Sequence, residues 1–157
     1  KQSIKNACTD QIVGCIIGCF VDVSSVKDET TSLLIRDVHT HSKMFYIMTL
    51  GATEKIRNKG LGKKFVLDCI EMVKQVDRCG VIYLHVITYN AAAIRFYERL
   101  GFYRMDEIKD YYQIDGVKHS CYLYAYFLHG NRRSIVDILY SACNRVVTSL
   151  RSVIPFT

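Results

Sequence analysis

The eleven residues EKIRNKGLGKK (54–64) combine five positive side chains with two glycines, between an apolar run and a helix-like segment. The first turn of a helix exposes backbone N–H groups that have no partner within the helix, and the helix dipole adds positive charge there. Gly60 and Gly62 would let the backbone approach a bulky anion closely, and Arg57, Lys59 and Lys63 add charge. The stretch therefore predicts a site for a phosphate-bearing ligand such as a pyrophosphate. The alternative is a solvated, charged turn, because the spacing matches neither the P-loop nor the GxGxxG pattern.

Long apolar runs on both sides of this stretch predict the strands that must position it. Residues 11–23, 44–52 and 80–88 are rich in β-branched and apolar residues and indicate buried strands, and residues 33–38 indicate a shorter strand. Residues 110–128 indicate a hairpin that turns at Asp115-Gly116.

Helical periodicity appears in three segments. Apolar residues recur at helical spacing over residues 62–76, and NAAAIRFYERLGF (90–102) predicts a short helix ended by Gly101. A last helix is predicted over residues 135–153. The order of elements indicates one mixed α/β domain with a partly antiparallel sheet flanked by helices.

Composition excludes several classes of protein. Of the 157 residues half are apolar and one is proline, which is typical of a packed globular domain and not of a disordered chain. The net charge of +6 could serve an anionic cofactor, a membrane surface or nucleic acid. The basic residues cluster at one turn and one tail without interleaved aromatic residues, so nucleic-acid binding is disfavoured. No pair of the seven cysteines has CxxC spacing, which argues against a metal site.

The glycine-rich turn and the segment after residue 88 together resemble a known superfamily. The pattern Arg57-x-x-Gly60-x-Gly62, followed by Asn90 and the helix that ends in Gly101, resembles the GNAT superfamily of acetyl-CoA-dependent N-acetyltransferases. The segments FYIMTLGATEKIRNKGLGK, VIYLHVITYNAAAIRFYERLGF, DYYQIDG and YLYAYFLHG resemble, more narrowly, the NatF-type protein N-terminal acetyltransferases. The resemblance covers roughly residues 14–130 of the sequence. It implies a GNAT (acyl-CoA N-acyltransferase) fold over residues 1–130, with acetyl-CoA as cosubstrate and no metal.

The resemblance implies a cofactor site between two splayed strands, those that end at Ala52 and Thr88. The backbone of Leu50, Gly51 and Ala52 would bind the pantetheine arm, and the helix start would hold the pyrophosphate. The implied cofactor-binding residues are Leu50, Gly51, Ala52, Arg57, Asn58, Lys59, Gly60, Leu61, Gly62, Lys63, Asn90, Tyr97, Glu98, Arg99 and Leu100.

Three residues are implied to be catalytic. An α-amine has a pKa of about 7.7–8.0, so much of it is protonated at neutral pH and a base must remove a proton. His85, in the apolar run YLHVIT, is the candidate base, and the alternative is a satisfied core histidine. Tyr46 matches the second catalytic position of the family and would relay a proton or orient the amine; the alternative is a core aromatic residue. Tyr97 lies where many GNAT enzymes place a tyrosine near the sulfur of CoA, and helix packing is its alternative.

Met48, Tyr111 and Tyr112 are implied to contact the substrate peptide. A hydrophobic pocket with an aromatic rim suits an N-terminal methionine. By resemblance the substrates are protein N-termini in which Met is followed by an apolar, small or Lys residue. Family members begin with a strand and a helix–loop–helix that contribute to the peptide-binding wall, and we expect those elements to be missing from this chain. That expectation keeps open a CoA-binding protein with little turnover, beside a second alternative, a GNAT enzyme that acetylates lysine or a small amine.

Residues 131–157 are predicted to form a basic amphipathic helix. The segment holds four arginines and one acidic residue, and its apolar positions fall on one helical face. Such a helix can lie in a membrane interface, and the resemblance implies attachment to the cytosolic face of the Golgi or plasma membrane. The alternative is packing on its own domain or on a second copy in a homodimer.

Overall fold

The computed structural model describes residues 2–5, 12–26, 30–57 and 59–131. Within these residues the strands are β1 Gln2–Lys5, β2 Ile12–Asp22, β3 Lys43–Ala52, β4 Cys79–Ile87, β5 Tyr103–Ile114 and β6 Val117–Phe127. The helices are α1 Thr30–Leu34, α2 Leu61–Lys74 and α3 Ala91–Arg99. The predicted helix over residues 135–153 and the predicted site residue Asn58 lie outside the described residues.

The six strands form one sheet in the order β1-β2-β3-β4-β6-β5. The pair β3–β4 is parallel, and the four other pairs in this order are antiparallel. Parallel neighbours need a crossover connection, which α2 supplies between β3 and β4. The sheet is therefore mixed, as the sequence predicted.

Apolar side chains cover both faces of the sheet. The face on which α2 packs, called here the helical face, includes Phe65 and Val73 of α2 together with Leu84 and Val86 of β4. The opposite face buries Leu34 of α1 with residues of β3, β4 and β6. Because successive strand residues point to opposite faces, β4 contributes to both layers and is buried along most of its length.

Most of the predicted elements are confirmed. The predicted strands over residues 11–23, 44–52 and 80–88, the helices over 62–76 and 90–102, and the hairpin at Asp115-Gly116 all form. Asp115 and Gly116 both have positive φ, 49° and 79°, which is the backbone that a two-residue hairpin turn favours. The short strand β1, which pairs with β2, was not predicted.

The prediction of a strand over residues 33–38 is wrong. Residues 30–34 form the short helix α1, and Leu34 and Ile35 are adjacent yet both are buried, at 0% and 5% exposure. A strand would have sent these neighbours to opposite faces.

A side chain, and not a neighbouring strand, holds the backbone that follows α1. Asn131 is 1% exposed, and its Nδ2 donates to the carbonyl oxygens of Leu34 at 2.8 Å and Gly80 at 3.1 Å. Its Oδ1 accepts from the N–H of Arg36 at 3.0 Å. One amide therefore joins α1 to the start of β4, close to the end of the described chain.

Replacing Asn131 with Ala should destabilise the fold by about 3 kcal/mol, because buried backbone groups that lose their partners each cost about 1–3 kcal/mol. Urea denaturation measures the free energy of unfolding, and Gln113→Ala, which removes an exposed amide, is the control. A loss for Asn131→Ala no larger than that of the control would show that water replaces the three hydrogen bonds.

Candidate active site

A cleft opens where β3 and β4 separate. Their parallel ladder ends at the pair Tyr46–Tyr83, and the remaining residues of both strands extend beyond it. The cleft has a volume of about 550 Å³, within the roughly 300–1,000 Å³ usual for small-molecule sites. It is lined by Ile47, Met48, Thr49, Leu50, Leu84, His85, Val86, Ile87, Tyr89, Asn90, Ala93, Tyr97, Tyr112 and Ile114. Of the predicted site residues, the cleft thus brings together Met48, Leu50, His85, Asn90, Tyr97 and Tyr112.

A β-bulge in β3 directs Met48 into the cleft. Ile17 pairs with Thr49 and Gly18 with Ile47, so Met48 is an extra residue opposite β2. Its side chain is 58% exposed. A bulge re-aims side chains, and here Leu50, two residues further on, packs against the core of the helical face.

Gly18 is required beside this bulge. A Cβ on Gly18 would lie 2.5 Å from the ring of Phe45 and 2.6 Å from the carbonyl oxygen of Tyr46, closer than real Cβ atoms approach. The backbone of β2 can therefore follow the bulge only without a side chain at this position.

The N-terminus of α2 is open to an anion. Gly60 is its N-cap in the left-handed conformation, with φ of 80°, and this residue has no side chain with which to cap the helix. The first turn of α2, all of it described, has no acidic residue, and Lys59 and Lys63 are exposed. The partial positive charge of the helix start is therefore not neutralised locally.

Glycines give a ligand access to this helix start. A Cβ on Gly62 would lie 3.6 Å from the ring of Phe96 and 3.9 Å from Leu50, so the protein itself leaves room for one. A Cβ on Gly51 would meet nothing within 4 Å. Arg57 has a partly structural role, because its Nε donates to the carbonyl oxygen of Ala52 at 3.1 Å.

His85 and Tyr46 form a hydrogen-bonded pair at the start of the cleft. The Nδ1 of His85 lies 3.1 Å from the hydroxyl oxygen of Tyr46. Burial raises the pKa of Tyr46, and the nearby phenols of Tyr111 and Tyr112 raise it further. Tyr46 therefore stays a neutral phenol at neutral pH, and the histidine is the member of the pair that can accept a proton there.

Aromatic rings hold this pair from both sides. The ring of Tyr83 stacks on Tyr46 at 4.9 Å between centroids, and the ring of Tyr111 stacks on His85 at 4.4 Å. Tyr111 also contacts Tyr112 edge to face at 4.9 Å. The predicted peptide residues Tyr111 and Tyr112 thus adjoin the predicted catalytic residues.

Tyr97 reaches the cleft from the helical face. It is 7% exposed and packs between Phe96 and Phe102 at centroid distances of 5.0 and 5.4 Å. Burial raises its pKa to about 12. Its hydroxyl is therefore protonated at neutral pH and available as a hydrogen-bond donor.

Asn90 both caps α3 and lines the cleft. It is the N-cap of α3, where its Oδ1 accepts from the N–H of Ala93 at 3.1 Å. This cap explains why α3 begins directly after β4. The cap uses the side-chain oxygen of Asn90, and its amide nitrogen can donate to a ligand.

At the end of α3, the predicted cofactor residues Glu98, Arg99 and Leu100 do not line the cleft. Asn90, Ala93 and Tyr97 are spaced so that one face of α3 meets the cleft. Glu98 instead accepts a hydrogen bond from the hydroxyl of Tyr124 at 2.9 Å. Arg99 and Leu100 border a separate hollow of about 440 Å³ beside Tyr126. A cofactor role for Glu98, Arg99 and Leu100 stays a prediction without support from the cleft.

Several cleft residues were not predicted. Tyr83, which stacks on Tyr46 but does not line the cleft, was not predicted either; it lies two residues before His85 on β4, and strand alternation could have placed both on one face. Tyr89, 65% exposed at the mouth of the cleft, follows the strand end directly, and Ile114 lies just before the hairpin turn. Their positions depend on how α3 and the hairpin pack, which no local pattern shows.

The sequence matches a known protein family over more than half of its length. The model of the acetyltransferase (GNAT) family matches residues 5–102. The chain belongs to the acetyltransferase (GNAT) family. The match includes both the open start of α2 and the capped start of α3.

Within this family, the chain is similar to several curated proteins. The N-alpha-acetyltransferase 60 of Xenopus tropicalis is 32% identical over 122 residues, which are 76% of this chain and 50% of the relative. The histone acetyltransferase MCC1 of Arabidopsis thaliana is 29% identical over 92% of this chain and 59% of its own length. The chain thus spans about half the length of the curated relatives it matches.

Among solved structures, NAA60 of Arabidopsis thaliana in complex with a bisubstrate analogue has a TM-score of 0.71 at 29% identity. The match covers 80% of this chain and 70% of that one. NAA60 of the same plant in complex with acetyl-CoA has a TM-score of 0.70 at 28% identity, covering 78% and 69% of the two chains. The fold is therefore that of NAA60 structures.

Two negative findings apply to the described residues. No helix among them is long and apolar enough to cross a membrane. In the same part of the chain, no group of three or more His, Cys, Asp or Glu residues is arranged to hold a metal ion.

Proposed function

We propose that this protein transfers the acetyl group of acetyl-CoA to the α-amine of protein N-termini, with Met as the preferred first residue. The observation that carries the proposal is the His85–Tyr46 pair, 3.1 Å apart, at the start of a cleft between two splayed strands. N-alpha-acetyltransferase 60 relatives and NAA60 structures support the same activity.

The cleft and the neighbouring start of α2 together suit acetyl-CoA. The uncapped start of α2 at Gly60, with Lys59 and Lys63, suits the pyrophosphate. Beyond the ladder, the backbone of residues 50–52 borders the gap between β3 and β4, where an extended pantetheine arm can lie. When bound, acetyl-CoA supplies an activated acetyl group as a thioester.

The protein's own task is to remove a proton from the amine. The reaction joins the amine nitrogen to the acetyl carbon, breaks the carbon–sulfur bond and releases CoA as a thiol. An α-amine with a pKa of about 7.7–8.0 needs only a weak base, and a histidine is suited to that pH range. His85 takes this role, while neutral Tyr46 orients it through the Nδ1 contact.

Tyr97 stabilises the leaving sulfur by hydrogen bonding rather than by giving up its proton. Its pKa is raised to about 12 by burial. A thiol has an ordinary pKa of about 8.5, so full transfer from this phenol to the thiolate would be uphill by about 5 kcal/mol at about 1.36 kcal/mol per pKa unit.

The acceptor side of the cleft is apolar and aromatic. Met48, Tyr112 and Ile114 line it, and Tyr111 flanks it through its contact with Tyr112. Such a wall suits the unbranched, flexible side chain of methionine. These contacts support a preference for a Met-starting peptide.

Lysine acetylation is the second candidate function, favoured by the similarity to the histone acetyltransferase MCC1. Lysine has a pKa of about 10.4, more than 2 units above that of an α-amine, so deprotonation costs about 3–4 kcal/mol more at neutral pH. Within the described cleft lining there is no acidic residue to assist it. The α-amine is therefore the better-matched acceptor.

Three peptides distinguish the two acceptors. We expect CoA release with a lysine-free peptide that begins Met-Val, none when its N-terminus is blocked, and none with a blocked peptide that has an internal lysine. His85→Phe should lower the rate with the first peptide about 10²–10⁴-fold, the usual contribution of a general base. Faster turnover of the lysine peptide would contradict the proposal, and an unchanged rate would remove His85 from the mechanism.

Gly62→Ala should weaken acetyl-CoA binding about tenfold or more while leaving the melting temperature equal or higher. The methyl group meets only ordinary contacts in the protein, and Ala favours a helix by roughly 0.8–1 kcal/mol over Gly. It would nevertheless occupy the backbone surface that a pyrophosphate must approach. Calorimetric titration measures the change, and Met72→Ala, an exposed position on the same helix, is the control. Unchanged affinity would place the pyrophosphate elsewhere.

Attachment to the cytosolic face of the Golgi or plasma membrane is a further part of the proposal, and it rests on the basic, amphipathic pattern of residues 131–157. Vesicles of phosphatidylcholine with phosphatidylserine should sediment the full chain. The double substitution Arg145→Glu with Arg151→Glu should weaken binding by about 1 kcal/mol or more per reversed charge. Lys118→Glu, on the exposed hairpin, should not. Equal binding by all three proteins would reject the tail as the attachment site.

A further inference from the structure

A bulge with three residues opposite one interrupts β5 beside the active site. Ile108 pairs with Cys121 and Tyr112 with His119, so residues 109–111 of β5 lie opposite Ser120 alone. The strand resumes regular pairing from Tyr112 to the hairpin turn. Bulges are common beside active sites, where they re-aim side chains.

The bulge depends on an unusual backbone conformation at Asp110. Its φ is 56°, in the left-handed region that non-glycine residues rarely adopt. Asp tolerates this region better than most residues, while a β-branched side chain does not. Asp115 in the hairpin turn has the same conformation, with φ of 49°.

Because of the bulge, the side chains of two consecutive tyrosines lie on the same side of the sheet. In a regular strand Tyr111 and Tyr112 would point to opposite faces. Here their rings contact each other at 4.9 Å, while Tyr112 lines the cleft and Tyr111 stacks on His85 at an interplanar angle of 25°.

Tyr111 lies against the catalytic pair. Its ring covers the imidazole of His85 at 4.4 Å. Its phenol is also close enough to Tyr46 to raise the pKa of that residue. A side chain that only formed the wall of a peptide pocket would not need to stack on His85.

We propose that Tyr111 is a positioning residue for His85 and Tyr46, and that the bulge at Asp110 brings the Tyr111 side chain to them. Tyr111 fixes the plane of the imidazole by stacking, and this plane keeps Nδ1 directed at the Tyr46 hydroxyl. The catalytic consequence rests on the proposed function, whereas the effect on the His85 ring does not.

The proposal can be tested by observing the His85 ring itself. The imidazole signals of His85, observed by nuclear magnetic resonance in the protein without substrate, report its tautomer and its mobility whether or not the protein is active. Tyr111→Leu should shift and broaden these signals, and Tyr111→Phe, which keeps the stacked ring, should change them less. Unchanged signals in Tyr111→Leu would overturn the proposal.

Asp110 variants test the bulge. Asp110→Val should reproduce the signals of Tyr111→Leu, and Asp110→Gly should restore those of the unmodified protein, because glycine accepts positive φ. Asp115→Val is the matched control: it places the same side chain in the same strained conformation, away from His85. If Asp115→Val changes the His85 signals as much as Asp110→Val does, general destabilisation explains both and the proposal fails.

Kinetics with a Met-starting peptide distinguish a positioning role of Tyr111 from a role in the wall of the peptide site. Tyr111→Leu should lower kcat about 10- to 100-fold, as expected for a misplaced catalytic group, with KM for acetyl-CoA unchanged. A rise in the peptide KM alone would make Tyr111 a wall residue and overturn the positioning role. Absence of turnover in the unmodified protein, together with the expected changes in the His85 signals, would reject the proposed function and leave the positioning contact established.

Discussion

The rest of the structure depends on the point at which two parallel strands stop pairing. Up to Tyr46 and Tyr83 the strands β3 and β4 share a ladder, and beyond that pair they separate. The separation opens the cleft, and it leaves Tyr46 and His85 close enough for a hydrogen bond of 3.1 Å at its start. Beyond this pair, the backbone groups that would otherwise hydrogen-bond between β3 and β4 border a space large enough for a ligand.

The two faces of the sheet divide the proposed chemistry. Tyr97 belongs to the core of the helical face, where α2 and α3 present their N-termini. Tyr46 packs with the core of the opposite face, and His85, two residues beyond Tyr83 on β4, stacks with Tyr111. The cleft connects the faces through the gap in the sheet. An anionic cosubstrate on the helical face and a peptide on the other would therefore meet between the strands without competing for the same walls.

Three local departures from regular geometry lie beside this gap. Met48 lies in a bulge that Gly18 permits, Gly60 has left-handed backbone at the start of α2, and Asp110 has it within β5. Among them, the left-handed backbone of Asp110 costs free energy, whereas Gly60 adopts that conformation freely.

The sequence by itself determined the elements whose signals are local. Helical spacing defined α2, a closing Gly101 defined the end of α3, and Asp115-Gly116 defined the hairpin turn. Residue types and spacing predicted an anion site at α2, with a solvated turn as the alternative, and the family resemblance favoured His85 as the candidate base. Only the tertiary structure decided what depends on a partner. Helix α1 replaced a predicted strand because Asn131, far along the chain, takes up its backbone groups. Glu98 binds Tyr124 and not the cleft, and Tyr111 reaches His85 through a bulge whose register is set by β6. Pairing register and long-range hydrogen bonds arise from contacts between distant segments, and so no window of sequence contains them.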